Sequence, residues 1–201
     1  MIKNRILLFI TIVFANSCSS SINDISSNER VKLVDIGGSV AQAFQKDLFR
    51  HLSEAIGDGG APNAISVCNL EALEITKAAQ RGFPQSLEIK RVSFKFRNAK
   101  NAPDKYEAEA LNYLATPQKG DAYPINTVQK INFGKETVFR FYKPMRMAEM
   151  CLQCHGSDKQ ISDVVAEKLT ELYPNDLAVD YKRGDFRGAI RIQISKEDLL
   201  K

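Results

Sequence analysis

The sequence predicts an α+β domain with an antiparallel sheet. Three observations carry that prediction. Two successive N-terminal stretches space their apolar residues helically, the period changes to strict alternation near residue 87, and the later strands are separated by short helices and loops. Three strands are predicted, mostly alternating. One sheet face should therefore meet solvent or packed helices. With 201 residues the chain is long enough for one domain with a sizeable core.

The first element is 39–57, "SVAQAFQKDLFRHLSEAIG". Val40, Ala43, Phe44, Leu48, Leu52 and Ile56 share one broad helical face, and Gly57 with the following "DGG" stops it. A second helix is predicted over 61–82, with Pro62 tolerated in its first turn and Ile65, Cys68, Leu70, Ile75 and Ala79 on its apolar side. Gly82 and Pro84 end it. Residues 87–97, "LEIKRVSFKFR", alternate Val92, Phe94 and Phe96 with Arg91, Ser93, Lys95 and Arg97, the pattern of a strand with one buried face. "PDKYEAEALNYLA" is a short helix with acids in its first turns. Gly120 and Pro124 mark loops. A second strand runs over 136–145, "ETVFRFYKPM". A helix follows in "ISDVVAEKLTELYP", and the last strand is 186–194, where Ile190, Ile192 and Ile194 face the core. No internal repeat is present.

The first 17 residues read as a signal peptide for export. Lys3 and Arg5 form its basic region, and Ile6 to Ala15 an apolar core about half as long as a membrane span requires. Ala15 and Ser17 are small enough to permit cleavage. Cys18, followed by "SSS", resembles the acceptor of a bacterial lipoprotein signal, although Asn16 and Ala15 depart from the usual pattern. Plain secretion and a retained anchor are the alternatives. Residues 18–35 read as a flexible tether and 36–201 as the folded domain. Removing 1–17 takes two lysine or arginine charges and no acids, so the net charge falls from +4 to 4 − 2 = +2. That charge is too small and too dispersed for nucleic acid.

The sharpest signal is Cys151-Leu152-Gln153-Cys154-His155. Two thiols three residues apart reach the two vinyl groups on one edge of a porphyrin, and the next residue presents its imidazole to the iron. This is the attachment pattern of haem c. Export agrees with it, since such haem is joined outside the bacterial cytoplasm. Zinc would need four ligands, usually as a second pair, and only Cys68 and His51 remain. A redox dithiol would need a helix opening directly after a strand, but "KPMRMAEM" intervenes. Gly156 is expected to spare room where the backbone nears the ring.

For the other side of the iron, spacing leaves His51, Cys68, Met145, Met147 and Met150 open. Met150 is close to Cys151, while the other methionines and Cys68 also read as buried hydrophobes. Arg91, Lys95 and Arg97 share one strand face, and Lys143 and Arg146 flank the haem motif. Each suits a haem propionate or a solvated surface equally well.

Four stretches, "AISVCNLEA" at 64–72, "RVSFKFRNAKNAPDKYEAEAL" at 91–111, "YKPMRMAEMCLQCHG" at 142–156 and "LYPNDLAVDYKRGDFRGAIRI" at 172–192, together resemble one bacterial family. It is the Tll0287-like family of c-type haem proteins with a PAS-like fold. The resemblance implies a PAS-like antiparallel sheet with N-terminal and flanking helices around a single covalent haem. It implies thioethers at Cys151 and Cys154, iron ligation by His155, and Cys68 as the opposite axial ligand. The run 97–103, "RNAKNAP", matches a family signature near the haem. Asp180 stands where the family usually has glycine, a departure expected to change only a turn away from the iron.

The expected function is one-electron transfer through haem, with redox or gas sensing through a separate partner as the alternative and peroxidase-like or nitrogen-oxide chemistry a third reading. A Cys68 thiolate would favour ferric iron, lower the potential and close the face that catalysis requires. The electron or signalling partner is not named by the sequence. A lipidated Cys18 would hold the domain at a membrane of the cell envelope, facing the periplasm.

Overall fold

The computed structural model describes residues 25–67 and 72–201. Helix α1 (Ser27–Ser66) is the longest element. It begins within the stretch read as a tether, because Ser26 and Glu29 form a reciprocal capping box: the Ser26 amide donates to Glu29 at 2.8 Å, and Ser26 Oγ accepts from the Glu29 amide at 3.3 Å. Glu29 also pairs with Lys130 at 3.2 Å. The helix is anchored onto the sheet by buried Leu33, Val40, Ala41 and Phe44. Gly37 lies against Phe141 so closely that an added Cβ would sit 2.5 Å from its ring base.

The predicted stop after Gly57 is a kink. Gly59 and Gly60 leave helical geometry, Gly60 with φ of 73°, and the helix resumes with Pro62 in its new first turn. Asn63 donates to the Ala55 carbonyl at 3.1 Å, which satisfies an acceptor left open at the break. Helix α2 (Ala72–Gln80) follows.

The sheet is four-stranded and antiparallel throughout, in the order β1-β4-β3-β2. β1 is Glu88–Val92, β2 Thr127–Phe133, β3 Glu136–Arg146 and β4 Phe186–Ser195. Helix α3 (Lys105–Ala115) precedes β2, and a single turn, α4 (Leu152–His155), follows β3. Helix α5 (Asp163–Leu172) precedes β4, and α6 (Lys196–Leu200) ends the chain.

Both faces of the sheet are covered. Phe139, Phe141, Ile190, Ile192 and Ile194 pack under α1, α2 and α6. On the other face Val92, Tyr142 and Ala189 meet Ala110, Leu111 and Leu114 of α3. α5 packs Val165 and Leu169 against Ala61 and Ile65, beyond the kink.

Two predictions about strands are corrected. β1 ends at Val92, not at Arg97, because the Ser93 amide donates to Asn101 at 3.1 Å, and Ser93 Oγ donates to the Arg187 carbonyl at 2.7 Å. Residues 93–101 therefore leave the sheet, and Phe94 is 45% exposed. β2 is a fourth strand, in a stretch to which the sequence pattern assigns no element. Its alternation is obscured because α3 covers the polar side, where buried Gln129 donates to the Tyr106 carbonyl at 2.9 Å and accepts from Tyr142 at 2.7 Å.

A candidate cofactor cavity

The haem-type motif sits on two consecutive tight turns. A 3-10 turn, Glu149–Cys151, runs directly into α4, so Cys151 and Cys154 fall three apart on one helical side. Both line a cavity of about 160 Å³ with His155. The rest of its wall is mainly apolar. α1 supplies Leu48, Leu52, Ile56, Ala64 and Ile65; β3 and its exit supply Met145, Met147 and Met150; and β4 supplies Ile190. Among the described lining residues there are four arginines, at 91, 97, 146 and 187, and no carboxylate.

His155 is held by the backbone. Its Nδ1 lies 2.7 Å from the Ala178 carbonyl oxygen. An acceptor there requires Nδ1 to carry the proton, which leaves the lone pair on Nε2. Burial, reinforced by the charges of Arg97 and Arg187, holds the imidazole pKa well below its usual range against the raising effect of that hydrogen bond. The ring is therefore neutral near pH 7, the form that binds a metal.

The Ala178 carbonyl is itself fixed by a buried ion pair. Arg97 Nε donates to Asp176 Oδ2 at 2.8 Å, and the other Asp176 oxygen accepts from the Ala178 amide at 2.8 Å. Arg97 Nη2 reaches the Cys154 carbonyl at 2.5 Å and the Ala178 carbonyl at 3.4 Å. One guanidinium thus ties the loop of residues 93–101, the motif and the 176–178 turn together. The Tyr181 amide donates to the His155 carbonyl at 3.0 Å, and the Tyr181 ring stands edge-on to the imidazole at 6.3 Å.

Several expectations about individual residues are refined. Cys68 and Cys18 lie outside the described residues, as does the signal segment 1–17. His51 is not among the residues lining the cavity, and Arg50 Nη2 lies 2.9 Å from its Nε2. Gly156 makes room for its own turn. A Cβ there would come within 2.6 Å of the Leu152 carbonyl and of Gln160. Asp180 adopts φ of 59°, the left-handed region that glycine enters freely. It lies beside the motif, its amide donating to the Gly156 carbonyl at 2.9 Å.

Sequence reasoning missed Asp176, Ala178, Tyr181 and Arg187. The first three are remote in sequence from the motif and carry no spacing signal. Arg187 is hidden by a β-bulge. Met145 pairs with Gly188 and Arg146 with Phe186, which leaves Arg187 unpaired between them. Strict alternation would place Arg187 on the α3 side with Ala189. The bulge instead puts Phe186 there and brings Arg187 to the cavity.

Among the described residues no group of three or more His, Cys, Asp or Glu converges as a metal site. Also among the described residues, no helix is long and apolar enough to cross a membrane.

The Tll0287-like family model matches residues 13–195. A solved structure, that of the cyanobacterial heme-protein Tll0287, superposes with a TM-score of 0.57 at 20% identity, covering 85% of this chain and 97% of that one. The shared architecture bears out the PAS-like α+β expectation. No curated protein matches the chain.

Proposed function

The chain belongs to the Tll0287-like family, and we propose that it is an exported c-type haem protein whose role is one-electron transfer. The observation that carries this reading is the conjunction of three groups on one cavity wall. The two thiols of C-x-x-C-H adjoin a neutral imidazole whose Nδ1 is bonded to Ala178 at 2.7 Å, leaving Nε2 as the metal-binding atom. The apolar lining suits the porphyrin ring, and the arginines suit its acidic edge. The heme-protein whose fold it shares supports the same cofactor.

In this reading Cys151 and Cys154 form the two thioethers, His155 ligates the iron, and one haem c is held per chain. The haem supplies reversible one-electron chemistry. The protein's part is to fix the imidazole, through Arg97, Asp176 and Ala178, and to exclude water with α1 and the methionines. Rigid ligation favours electron exchange by limiting rearrangement between oxidation states.

In the same reading Cys68 would supply the second protein ligand to the iron. Ala64 and Ile65, four and three residues before it, line the cavity. A thiolate there would hold the ferric state at low potential. Cys68→Ala is expected to change the low-spin ferric spectrum and raise the midpoint potential; an unchanged spectrum and potential would return the position to a methionine or to His51.

The experiment that separates carrier from sensor is a set of visible spectra of the matured protein in both oxidation states, with and without CO. A carrier stays six-coordinate and ignores CO after reduction. A sensor loses a ligand on reduction and binds CO, and would then act through a separate signalling partner. Turnover of peroxide or nitrite above free-haem background would instead mark an enzyme.

The proposed location is the bacterial cell envelope, with Cys18 lipidated after removal of residues 1–17. Intact mass of the mature chain tests it. Acyl mass on Cys18 is expected, and an unmodified N-terminus would indicate plain secretion.

A further inference from the structure

We infer that Arg91 and Arg187 form a dicarboxylate subsite that takes the two propionates of the haem, while the other cavity cations serve the fold. The inference rests on the haem reading above and adds which end of the cavity the acidic edge occupies.

Each basic residue near the cavity can be sorted by what already occupies it. Arg97 is committed to Asp176 and to the Cys154 and Ala178 carbonyls. Lys95 donates to the Val179 carbonyl and lies 4.4 Å from the centre of the Tyr181 ring. Arg146 donates to the Gly184 carbonyl at 3.2 Å and covers the Tyr123 ring at 4.0 Å. Lys143 does not line the cavity.

Arg91 and Arg187 remain. Among the described residues neither has a carboxylate partner. Arg187 Nη1 donates to Ser93 Oγ at 2.7 Å and to the Lys95 carbonyl at 2.9 Å. Its guanidinium also faces Tyr181, 5.5 Å from the ring centre, and meets no carboxylate among the described residues. The bulge in β4 has re-aimed this side chain from the α3 face to the cavity. A guanidinium held by hydroxyl, carbonyl and aromatic partners keeps its charge and part of its planar fork for a carboxylate.

The charge balance agrees. Two guanidiniums without countercharge, beside an apolar cavity, are unfavourable until anions arrive. A haem brings two carboxylates on one edge. Ser93, Asn98 and Asn101 line the same cavity and add short polar side chains around them.

The test uses matured holoprotein and the variants Arg91→Gln, Arg187→Gln, their double, and Arg187→Lys. Exposed Arg183→Gln controls for loss of charge alone. The propionate bending bands of the resonance Raman spectrum are expected to shift in each glutamine variant and to return towards wild type in Arg187→Lys. The midpoint potential is expected to fall further in Arg91→Gln and Arg187→Gln than in Arg183→Gln. Bands and potentials that move no more than those of Arg183→Gln would overturn the subsite while leaving haem attachment intact. Wild-type protein without attached haem would overturn both readings.

If the variants do not mature, the wild-type full chain prepared without haem decides the question. Ferric porphyrin with free propionates is expected to bind at least about tenfold more tightly than its dimethyl ester, the worth of one charge-assisted hydrogen bond. Equal affinities would overturn the proposal.

Discussion

His155→Ala is expected to abolish the low-spin ferric spectrum of the matured protein while leaving the fold in place. In the proposed reading its Nε2 is the iron's ligand on one side, and alanine offers no replacement base. The structural cost is small by comparison. The variant loses the 2.7 Å bond to Ala178 and leaves a carbonyl that solvent in the cavity can satisfy, a penalty of about 1 kcal/mol. Arg97 and Asp176 still hold the 176–178 turn. The two readouts separate the roles. Visible spectra should change completely, whereas the denaturation midpoint should move little. A variant with wild-type spectrum would remove His155 from the iron, and one that fails to fold would make it a structural residue.

Glu107→Ala is expected to cost about 3–5 kcal/mol of stability. Glu107 closes the capping box of α3: Asp104 Oδ1 accepts from the Glu107 amide at 2.7 Å, and Glu107 accepts from the Asp104 amide at 2.9 Å. It is buried on the α3 side of the sheet, where Lys90 donates to it at 2.7 Å. Arg191 Nε lies 3.0 Å from its other oxygen, an ion pair without good hydrogen-bond alignment. Alanine would remove the countercharge of Lys90 and leave the buried Arg191 with only the largely exposed Glu88. Against a typical total of about 5–15 kcal/mol this is a large fraction. Urea unfolding measures it, as a lower midpoint with an unchanged slope. A loss under about 1 kcal/mol would show that the two cations find other partners, such as Glu88, which lies 3.3 Å from Arg191.

The adjoining, partly exposed cap residue Asp104 has a sign-defined acid limit. Burial tends to raise the Asp104 pKa, but the Glu107 amide and Arg140 together hold it below the ordinary carboxylate value. A lowered folded-state pKa stabilises above the unfolded pKa and is lost as pH falls through the folded one. Its contribution is therefore intact at neutral pH and disappears only in acid.

What could be read from the sequence follows from what each residue answers to. Ile190, Ile192 and Ile194 face one core, so strict alternation survives in their strand and identifies it. The Gly59–Gly60 break and Pro62 are local signals and marked the kink to within a few residues. β2 was obscured because Gln129 is buried by hydrogen bonds rather than by apolarity. The early start of α1 depended on the reciprocal Ser26–Glu29 cap and on Leu33 docking on the sheet, within a stretch that otherwise looks polar. The motif Cys151–His155 declares its chemistry in five consecutive residues. Its support does not, since Asp176 and Arg97 are 79 positions apart. Arg187 was concealed by a bulge, which inverts the face that alternation assigns.

The most direct measurement is extraction of the wild-type protein, produced with haem-attachment machinery, in acidified organic solvent. The proposed thioethers at Cys151 and Cys154 predict that the colour stays with the polypeptide, at one haem per chain by pyridine haemochrome. Colourless protein, or pigment that passes entirely into the solvent, would contradict it.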